Sequence, residues 1–475
     1  MSRSLPLRAA TALVAAATAT TVMSLSTAAI AGPSARGPGH TSRAPAANTR
    51  FFTPPPNPGA VAQVAGLRAR HDTGDAALLR ALVSVPQAVW FTGGTPQQVR
   101  RDVHRTVTRA AAHRQVPVLV AYDIPFRDCA QFSAGGAADT ASYLAWIDGF
   151  ASGIGNRRAV VLLEPDSLGI IPNNIDINGN PESCQVSGPG ADPQTRYAQL
   201  NAAVDRFERQ PNVGLYLDGT HSAWLGTGDI AQRLVRAGVD RAQGFFLNVS
   251  NYQATPQLTE YGTWISECMA FATNPADGGW RLGHYDFCAS QYFSSSAPND
   301  GLPGDAVDPN DISTWHWTDD WFTANLGTAV PTTHFVLDTS RNGQGPNDMS
   351  AFAALPFNQP AGVVNTLHAG NWCNAPDSGV GLRPTADTGN PLIDAYLWVK
   401  IPGESDGTCD VASGVRAWDF TASNPFGLTG DAQLHADPLW GATDPAAGGW
   451  FGAQALQLAQ RANPPLAVPT HHGRH

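Results

Sequence analysis

Lysine is almost missing from this chain. Its 475 residues include 28 Arg but one Lys, Lys400, and 33 Asp against six Glu. Charged residues make up only 14%, and the balance is acidic, 29 Lys+Arg against 39 Asp+Glu, for a formal charge of −10. No basic run occurs, so the electrostatic footprint of a nucleic-acid binder is excluded. The absence of any C-x-x-C pair removes support for a finger-type zinc site or a thioredoxin-type redox site. The Walker phosphate-binding pattern is also absent, and with it the usual signature of nucleotide chemistry. Beyond residue 31 no stretch is apolar for long enough to cross a bilayer. What the chain does have is apolar and aromatic material, 43% and 9%, with 47 Gly, 37 Pro and 13 Trp. That composition excludes disorder over most of the length and supplies a full core.

Residues 1–31 read as a secretory signal: Arg3 and Arg8, an apolar run Ala9–Leu25, then the small-x-small site Ala29-Ile30-Ala31. Secretion to the extracellular space is therefore expected. Six cysteines, Cys129, Cys184, Cys268, Cys288, Cys373 and Cys409, suit three disulfides in such a compartment, with their pairing open. Residues 32–50 are a Gly/Pro/Ala-rich flexible lead-in, 51–464 one catalytic-sized domain, and 465–475 a disordered tail.

Seven apolar or β-branched runs recur: Ala88–Phe91, Val116–Asp123, Ala159–Pro165, Val213–Asp218, Gly244–Ser250, His334–Ser340 and Asp394–Gly403. Helix-patterned stretches lie between them, among them Thr95–Arg114, Ala138–Ile154, Pro193–Arg209 and Asp229–Ala237. This alternation predicts a parallel sheet, and its length favours a closed β/α barrel. Most runs end in polar strings (YD, EPDS, DGTH, NVSN, DTSRNG, KIPGESD), which a barrel would bring to one mouth. Two long segments, Asn173–Asp192 and Asp410–Gly448, break the rhythm as functional loops do.

Asp166 follows the hydrophobic run VVLLEPDS. A carboxyl at the edge of low dielectric favours its protonated form and can act as a general acid; the plainer alternative is a helix N-cap. Asp123 and Asp128 flank Arg127 in AYDIPFRDC, either as carboxylates that raise the pKa of Asp166 or as an Asp–Arg loop brace. Asp218 and His221 in YLDGTHSAWLG are candidates to orient a polar ligand over Trp224, the alternative for a lone His at a strand end being a structural role. Lys400, Glu404 and Asp406 crowd the only Lys and one of six Glu into five residues between Gly403 and Gly407. Trp90, Trp224, Trp280, Trp315, Trp317, Trp321 and Trp372 lie in or beside loops, where aromatic platforms suit the apolar faces of neutral sugars, and about half should be core. The run from Asp176 is no EF-hand, since Pro181 and Ser187 replace the required Gly and Glu. Asn248 starts a glycosylation sequon at the end of a buried strand.

The strings YDIPFRDC, LLEPDSL, YLDGTHSAWLG, NVSNY, DTSRNGQGP, WCN, GLRPT and DAYLWVKIPGESDG occur in this order over about residues 85–410. Together they resemble glycoside hydrolase family 6, the cellulases that include non-reducing-end cellobiohydrolases and related endoglucanases. The resemblance implies a distorted seven-stranded parallel β/α barrel (TIM-like) with long active-site loops, cleaving β-1,4-glucan with inversion and without cofactor or metal. Asp166 resembles the general acid, Asp128 the aspartate that supports its protonation, and Asp406 the candidate base. Tyr122 resembles the tyrosine beneath the distorted sugar. Trp90, Ser133, His221, Trp224, Asn251, Trp372, Lys400 and Glu404 resemble sugar-binding residues, while Asn371 stands where the family often has Asp. The resemblance also implies disulfides Cys129–Cys184 and Cys373–Cys409, leaving Cys268 with Cys288. The expected enzyme is a secreted monomeric cellobiohydrolase acting on cellulose and cello-oligosaccharides, without nucleic-acid or membrane partners. An endoglucanase, or an inactive carbohydrate-binding protein, are the alternatives.

Overall fold

The computed structural model describes residues 43–129, 131–275, 279–292, 307–369, 371–410 and 426–468. The expected signal peptide, the lead-in up to residue 42 and the tail from residue 469 lie outside them. All described residues fall in one compact unit.

Seven strands pair in chain order, each parallel to the next: β1 Val89–Phe91, β2 Val118–Ala121, β3 Ala159–Leu163, β4 Val213–Asp218, β5 Gly244–Leu247, β6 His334–Asp338 and β7 Ile393–Leu397. Helices α1 (Pro58–Ala69) and α2 (Thr73–Leu82) precede β1, and the helices that follow are α3 (Pro96–Ala112), α4 (Thr140–Ile154), α5 (Pro193–Glu208) and α6 (Thr227–Arg236). They continue with α7 (Thr255–Thr273), α8 (His316–Asn325), α9 (Ala361–Ala369), α10 (Asp431–His435) and α11 (Gly452–Gln460). Local chemistry starts several of them. Thr95 and Gln98 form a reciprocal capping box at α3, and Asp139 and Asp192 cap α4 and α5 through the amides of Ser142 and Thr195.

The strands separate two cores, because successive side chains point to opposite faces. Val118, Val120, Val160, Leu162, Tyr216, Phe246, Val336, Ala395 and Leu397 fill the inside of the curled sheet. Leu119, Ala121, Val161, Leu163, Leu215, Leu217, Phe245, Leu247, Phe335 and Leu337 face outward against the helices. Burial on both faces explains why the strands read as unbroken apolar runs. The result is the expected distorted seven-stranded barrel. Its seam differs from a closed ladder: among the described residues β7 and β1 share no register. The amide of Ala88 reaches Trp398 O (2.9 Å) and the indole of Trp90 reaches Val399 O (2.8 Å). The register also shifts once, between Phe335 and Val336 opposite β7. Asp394, beside that shift, accepts from Tyr216 Oη (2.7 Å) and Gln243 Nε2 (3.1 Å) and lies 2.8 Å from His334 Nδ1, closing the floor with a polar network.

Five strands (β2, β3, β5, β6 and β7) end earlier than their apolar runs suggest, and at β2, β5 and β7 acidic side chains take amides that follow the strand. The amides of Asp123 and Ile124, beyond β2, donate to the Glu164 carboxyl at the end of β3 (2.9 and 3.0 Å). Those of Val399 and Lys400, beyond β7, donate to Asp338 at the end of β6, both at 3.0 Å. Beyond β5, Asn248 and Ser250 turn into positive φ (71° and 63°), and the amide of Ser250 also approaches Asp338. Acidic side chains thus take amides that a longer ladder would have used, and the chain turns away to form the mouth.

Helices α3 and α4 cross closely at two glycines. A Cβ on Gly149 would stand 2.3 Å from Pro96 O, and one on Gly153 would stand 2.7 Å from Arg100 O. Gly149→Ala should therefore lower stability by on the order of 1 kcal/mol or more, despite alanine's better helix propensity. A lowered urea midpoint is expected; an unchanged midpoint would show that the helices have room.

Candidate active site

A cavity of about 720 Å³ opens at the C-terminal ends of the strands. Asp128, Asp166, Asp406, Tyr122, Trp90, Ser133, His221, Trp224, Asn251, Trp372, Lys400 and Glu404 all line it, so the structure brings to one place the residues to which the family resemblance gives catalytic or sugar-binding roles. Thr92, Arg127, Gln131, Ser183, Gln253, His368 and Asn371 complete much of the wall.

Asp166 stands three residues beyond β3, with φ at +64°, in a tight turn and not at the cap of an α-helix. Left-handed backbone is costly for a residue with a side chain, and the surroundings hold it there. Asp218, ending β4, accepts the amides of Leu168 (3.0 Å) and Gly169 (3.3 Å). Arg196 of α5, only 1% exposed, donates to Ser167 O (3.1 Å) and across to Pro125 O (2.8 Å), linking the turn of Asp166 to that of Asp128. Arg233 of α6 donates to Leu168 O (2.8 Å) while bound to Asp229 and Glu182. The Trp224 ring lies over Gly169, where a Cβ would sit 2.4 Å from it. Burial, then the charges of Asp218, Asp128 and Asp406, raise the Asp166 pKa well above the carboxylate range, against the opposing pull of Lys400.

Asp128 is also in left-handed backbone (φ +49°) and accepts from both the amide (3.1 Å) and the hydroxyl of Ser133. Ser133 Oγ lies 3.2 Å from the hydroxyl of Tyr122. Burial raises the Asp128 pKa, and the bonds from Ser133 moderate it. Arg127 does not form the Asp–Arg brace. It sits 4.5 Å over the Tyr122 ring and donates to Tyr122 O (2.6 Å), Thr92 O (3.0 Å) and Ser133 O (3.2 Å). Trp90 meets Tyr122 edge-on at 5.4 Å.

Asp406 is the opposite case. Burial disfavours its charge, yet Arg341 (2.7 Å) and Lys400 (3.0 Å) outweigh that and hold the carboxylate below its ordinary range. The amide of Asn374 adds a bond at 2.8 Å. Arg341 has no exposed surface and stacks 4.3 Å over Tyr252. Glu404 accepts from Asn57, the cap of α1, at 2.8 Å, and burial raises its pKa. His221 is pushed by burial down to about 3 and is neutral; its Nδ1 accepts from the amide of Ala223 (3.3 Å), which leaves the proton on Nε2. The run Gly403-Glu404-Ser405-Asp406-Gly407 has the spacing of a serine nucleophile elbow. Ser405 is nonetheless buried, with its one hydroxyl proton shared between Gly407 O (2.9 Å) and Pro445 O (2.8 Å).

Some expectations resolve differently. Asp218 does not meet the cavity but supports the turn beneath Asp166, and Asp123 is buried behind its own loop. Trp315 belongs to the core against Trp264, whereas Trp280 is exposed. Asn248 is fully buried with its side chain donating to Asp338 O, so the folded chain offers no glycan acceptor there. Asp176 accepts from the amides of Asn178 and Asn180 in its own turn. Disulfides join Cys129–Cys184, Cys268–Cys288 and Cys373–Cys409. Arg196, Arg233 and Arg341 were not singled out from sequence. The first two carry a readable signal, an Arg on the apolar stripe of a helix: Arg196 with Leu200, Ala203 and Phe207, and Arg233 with Ile230 and Leu234.

Glu164 makes the stability depend on pH. Burial pushes its pKa from the ordinary 4.5 up to about 8, so the folded chain keeps a proton that the unfolded chain has released. Its contribution is present below about 4.5 and lost as pH rises towards 8. Asp123 and Asp218, each raised to about 6 chiefly by burial, act in the same sense. The melting temperature should fall between pH 5 and 8, and Glu164→Gln should flatten the fall. An unchanged slope in that variant would remove Glu164 as the cause.

Comparison with known proteins agrees with this geometry. The profile of the glycosyl hydrolases family 6 matches residues 46–462. The chain is 31% identical over 335 residues to endoglucanase A of Thermobispora bispora, covering 70% of this chain but only 53% of that one. It is 28% identical over 438 residues to the probable 1,4-beta-D-glucan cellobiohydrolase C of Aspergillus niger, covering 86% and 76%. Among solved structures, the endoglucanase Cel6 of Mycobacterium tuberculosis, in complex with a thio-linked cellobioside, superposes with a TM-score of 0.56 at 28% identity, covering 89% and 99%. Among the described residues no helix is long and apolar enough to cross a membrane. With the match spanning most of its length, the chain belongs to family 6 of the glycosyl hydrolases.

Proposed function

We propose that the protein is a secreted, inverting β-1,4-glucanase that releases cellobiose from the non-reducing ends of cellulose. The supporting observation is electrostatic: one cavity holds a carboxyl kept neutral, Asp166, beside a carboxylate kept ionised, Asp406. A pair of carboxyls pushed apart in pKa is what acid-assisted glycoside cleavage requires.

In this reading Asp166 gives its proton to the bridging oxygen as the bond from that oxygen to the anomeric carbon breaks. Water attacks the opposite face, and positive charge develops on the sugar ring. Asp406, locked between Arg341 and Lys400, is a poor proton acceptor but supplies fixed negative potential. The water's proton passes instead, through solvent and the Ser133 hydroxyl, to Asp128, whose raised pKa suits it to receive one. Tyr122 lies under the reacting sugar as a neutral phenol, its pKa raised by burial. His221, Trp224, Trp90, Trp372, Asn251, Lys400 and Glu404 bind the flanking sugars.

Exo action is supported by the two long segments. Ser183 of one, and Ala447 and Gly448 from the described part of the other, line the cavity; bridged Cys184 lies within the first, bridged Cys409 just before the second, and residues 411–425 lie outside the described residues. The endoglucanase relatives favour a second reading, internal cleavage in an open cleft. Carboxymethylcellulose separates the two: an exo enzyme yields cellobiose with little loss of viscosity, and a rapid viscosity drop would establish endo action.

Asp166→Asn should cut turnover by about 10²–10⁴-fold while leaving cello-oligosaccharide binding in place. Unchanged hydrolysis would remove Asp166 from the acid role. Early product should be the α-anomer by NMR, and a β-anomer would contradict inversion.

A further inference from the structure

We infer that Tyr292 is an additional sugar-binding platform, outside the cavity and beyond Trp224, which takes the part of a β-1,4-linked glucan chain that the cavity does not hold. This rests on the glucan-cleaving reading above. Tyr292 is 42% exposed, although its hydroxyl is already engaged, donating to Trp224 O at 3.3 Å. With the polar tip held on backbone, what the exposed side chain has to offer a ligand is its aromatic ring. Neutral sugars present apolar C–H faces that fit such a surface.

The ring is held firmly to the loop that carries His221 and Trp224. Gln291, fully buried, donates from Nε2 to Ser222 O (2.8 Å) and Leu225 O (3.0 Å). The amide of Tyr292 donates to Ser290 Oγ (3.1 Å), and Ser290 O accepts from Thr318 of α8 (3.0 Å). Two residues earlier, Cys288 is joined to Cys268 of α7. The Tyr292 ring runs alongside Gly226, where an added Cβ would be 3.9 Å from Cδ2. Little ordering entropy is left to lose when a ligand settles on a ring fixed in this way. The Cys268–Cys288 disulfide, which lies away from the cavity, thereby acquires a function: it anchors the strap that presents Tyr292.

The experiment compares cellotetraose with cellohexaose in the full chain carrying Tyr292→Ala or Tyr292→Phe. Binding is measured by calorimetry in an Asp166→Asn background, and turnover in the otherwise native enzyme. Tyr292→Ala should weaken cellohexaose binding about three- to tenfold and leave cellotetraose unchanged. Tyr292→Phe, which keeps the ring and loses the hydroxyl with its bonds to Trp224 O and the Gln291 side chain, should match the parent on both. Unchanged cellohexaose binding in Tyr292→Ala overturns the inference alone, provided the native enzyme cleaves the oligomers. Equal losses in both variants on both substrates would reduce Tyr292 to a brace for Trp224. A native enzyme that cleaves neither oligomer overturns the inference together with the glucanase reading.

Discussion

Negative charge is crowded at this site, and its distribution decides what the site can do. Asp128, Asp218 and Asp406 lie close enough to raise the pKa of Asp166, and Asp406 that of Asp128, in surroundings that resist charge. Both Arg341 and Lys400 pair with the same carboxylate, Asp406. With those cations spent there, charge on Asp166 meets burial and three acidic neighbours and little to offset them. Neutral Asp166 is the outcome. The cations therefore act at a distance: by fixing Asp406 as the anion, they leave Asp166 with the proton. The chain's single Lys belongs to this arrangement.

A second use of acidic residues is structural. Glu164, Asp218 and Asp338 stand at or just beyond the ends of β3, β4 and β6, and each receives amides from a turn after a neighbouring strand. A buried carboxyl with several amide donors replaces ladder bonds that the strands no longer make. The mouth of the barrel is thus built from side-chain acceptors rather than longer strands, which allows sharp left-handed turns at Asp128 and Asp166. Arg196 and Arg233 brace the same turns from the helices behind. Placement of the cavity carboxyls and fold stability consequently share the same residues.

The strands were legible because burial on both faces wrote them as continuous apolar runs, and the mouth because polar strings followed them. Their ends were less so, since the carboxyls that terminate β2 and β7 come from other strands and leave no local mark. Asp218 looked like a ligand contact from its place at a strand end; its oxygens are occupied by amides of the adjacent turn, a three-dimensional fact without a sequence pattern. The convergence of Asp128, Asp166 and Asp406 followed from strand polarity alone. The assignment of charge among them did not, because it depends on Arg341, which sits in the quoted string DTSRNG and joins Asp406 only through folding. Buried Arg196 and Arg233 were readable in principle, as cations on apolar helical stripes.

The whole division of charge depends on a proton resident on Asp166 in the unliganded protein. Infrared difference spectra between the native chain and Asp166→Asn at neutral pH address it directly. A protonated-carboxyl carbonyl band assigned to residue 166 is predicted. A difference made only of carboxylate bands would mean that Asp166 is ionised, and the division of charge described here would be wrong.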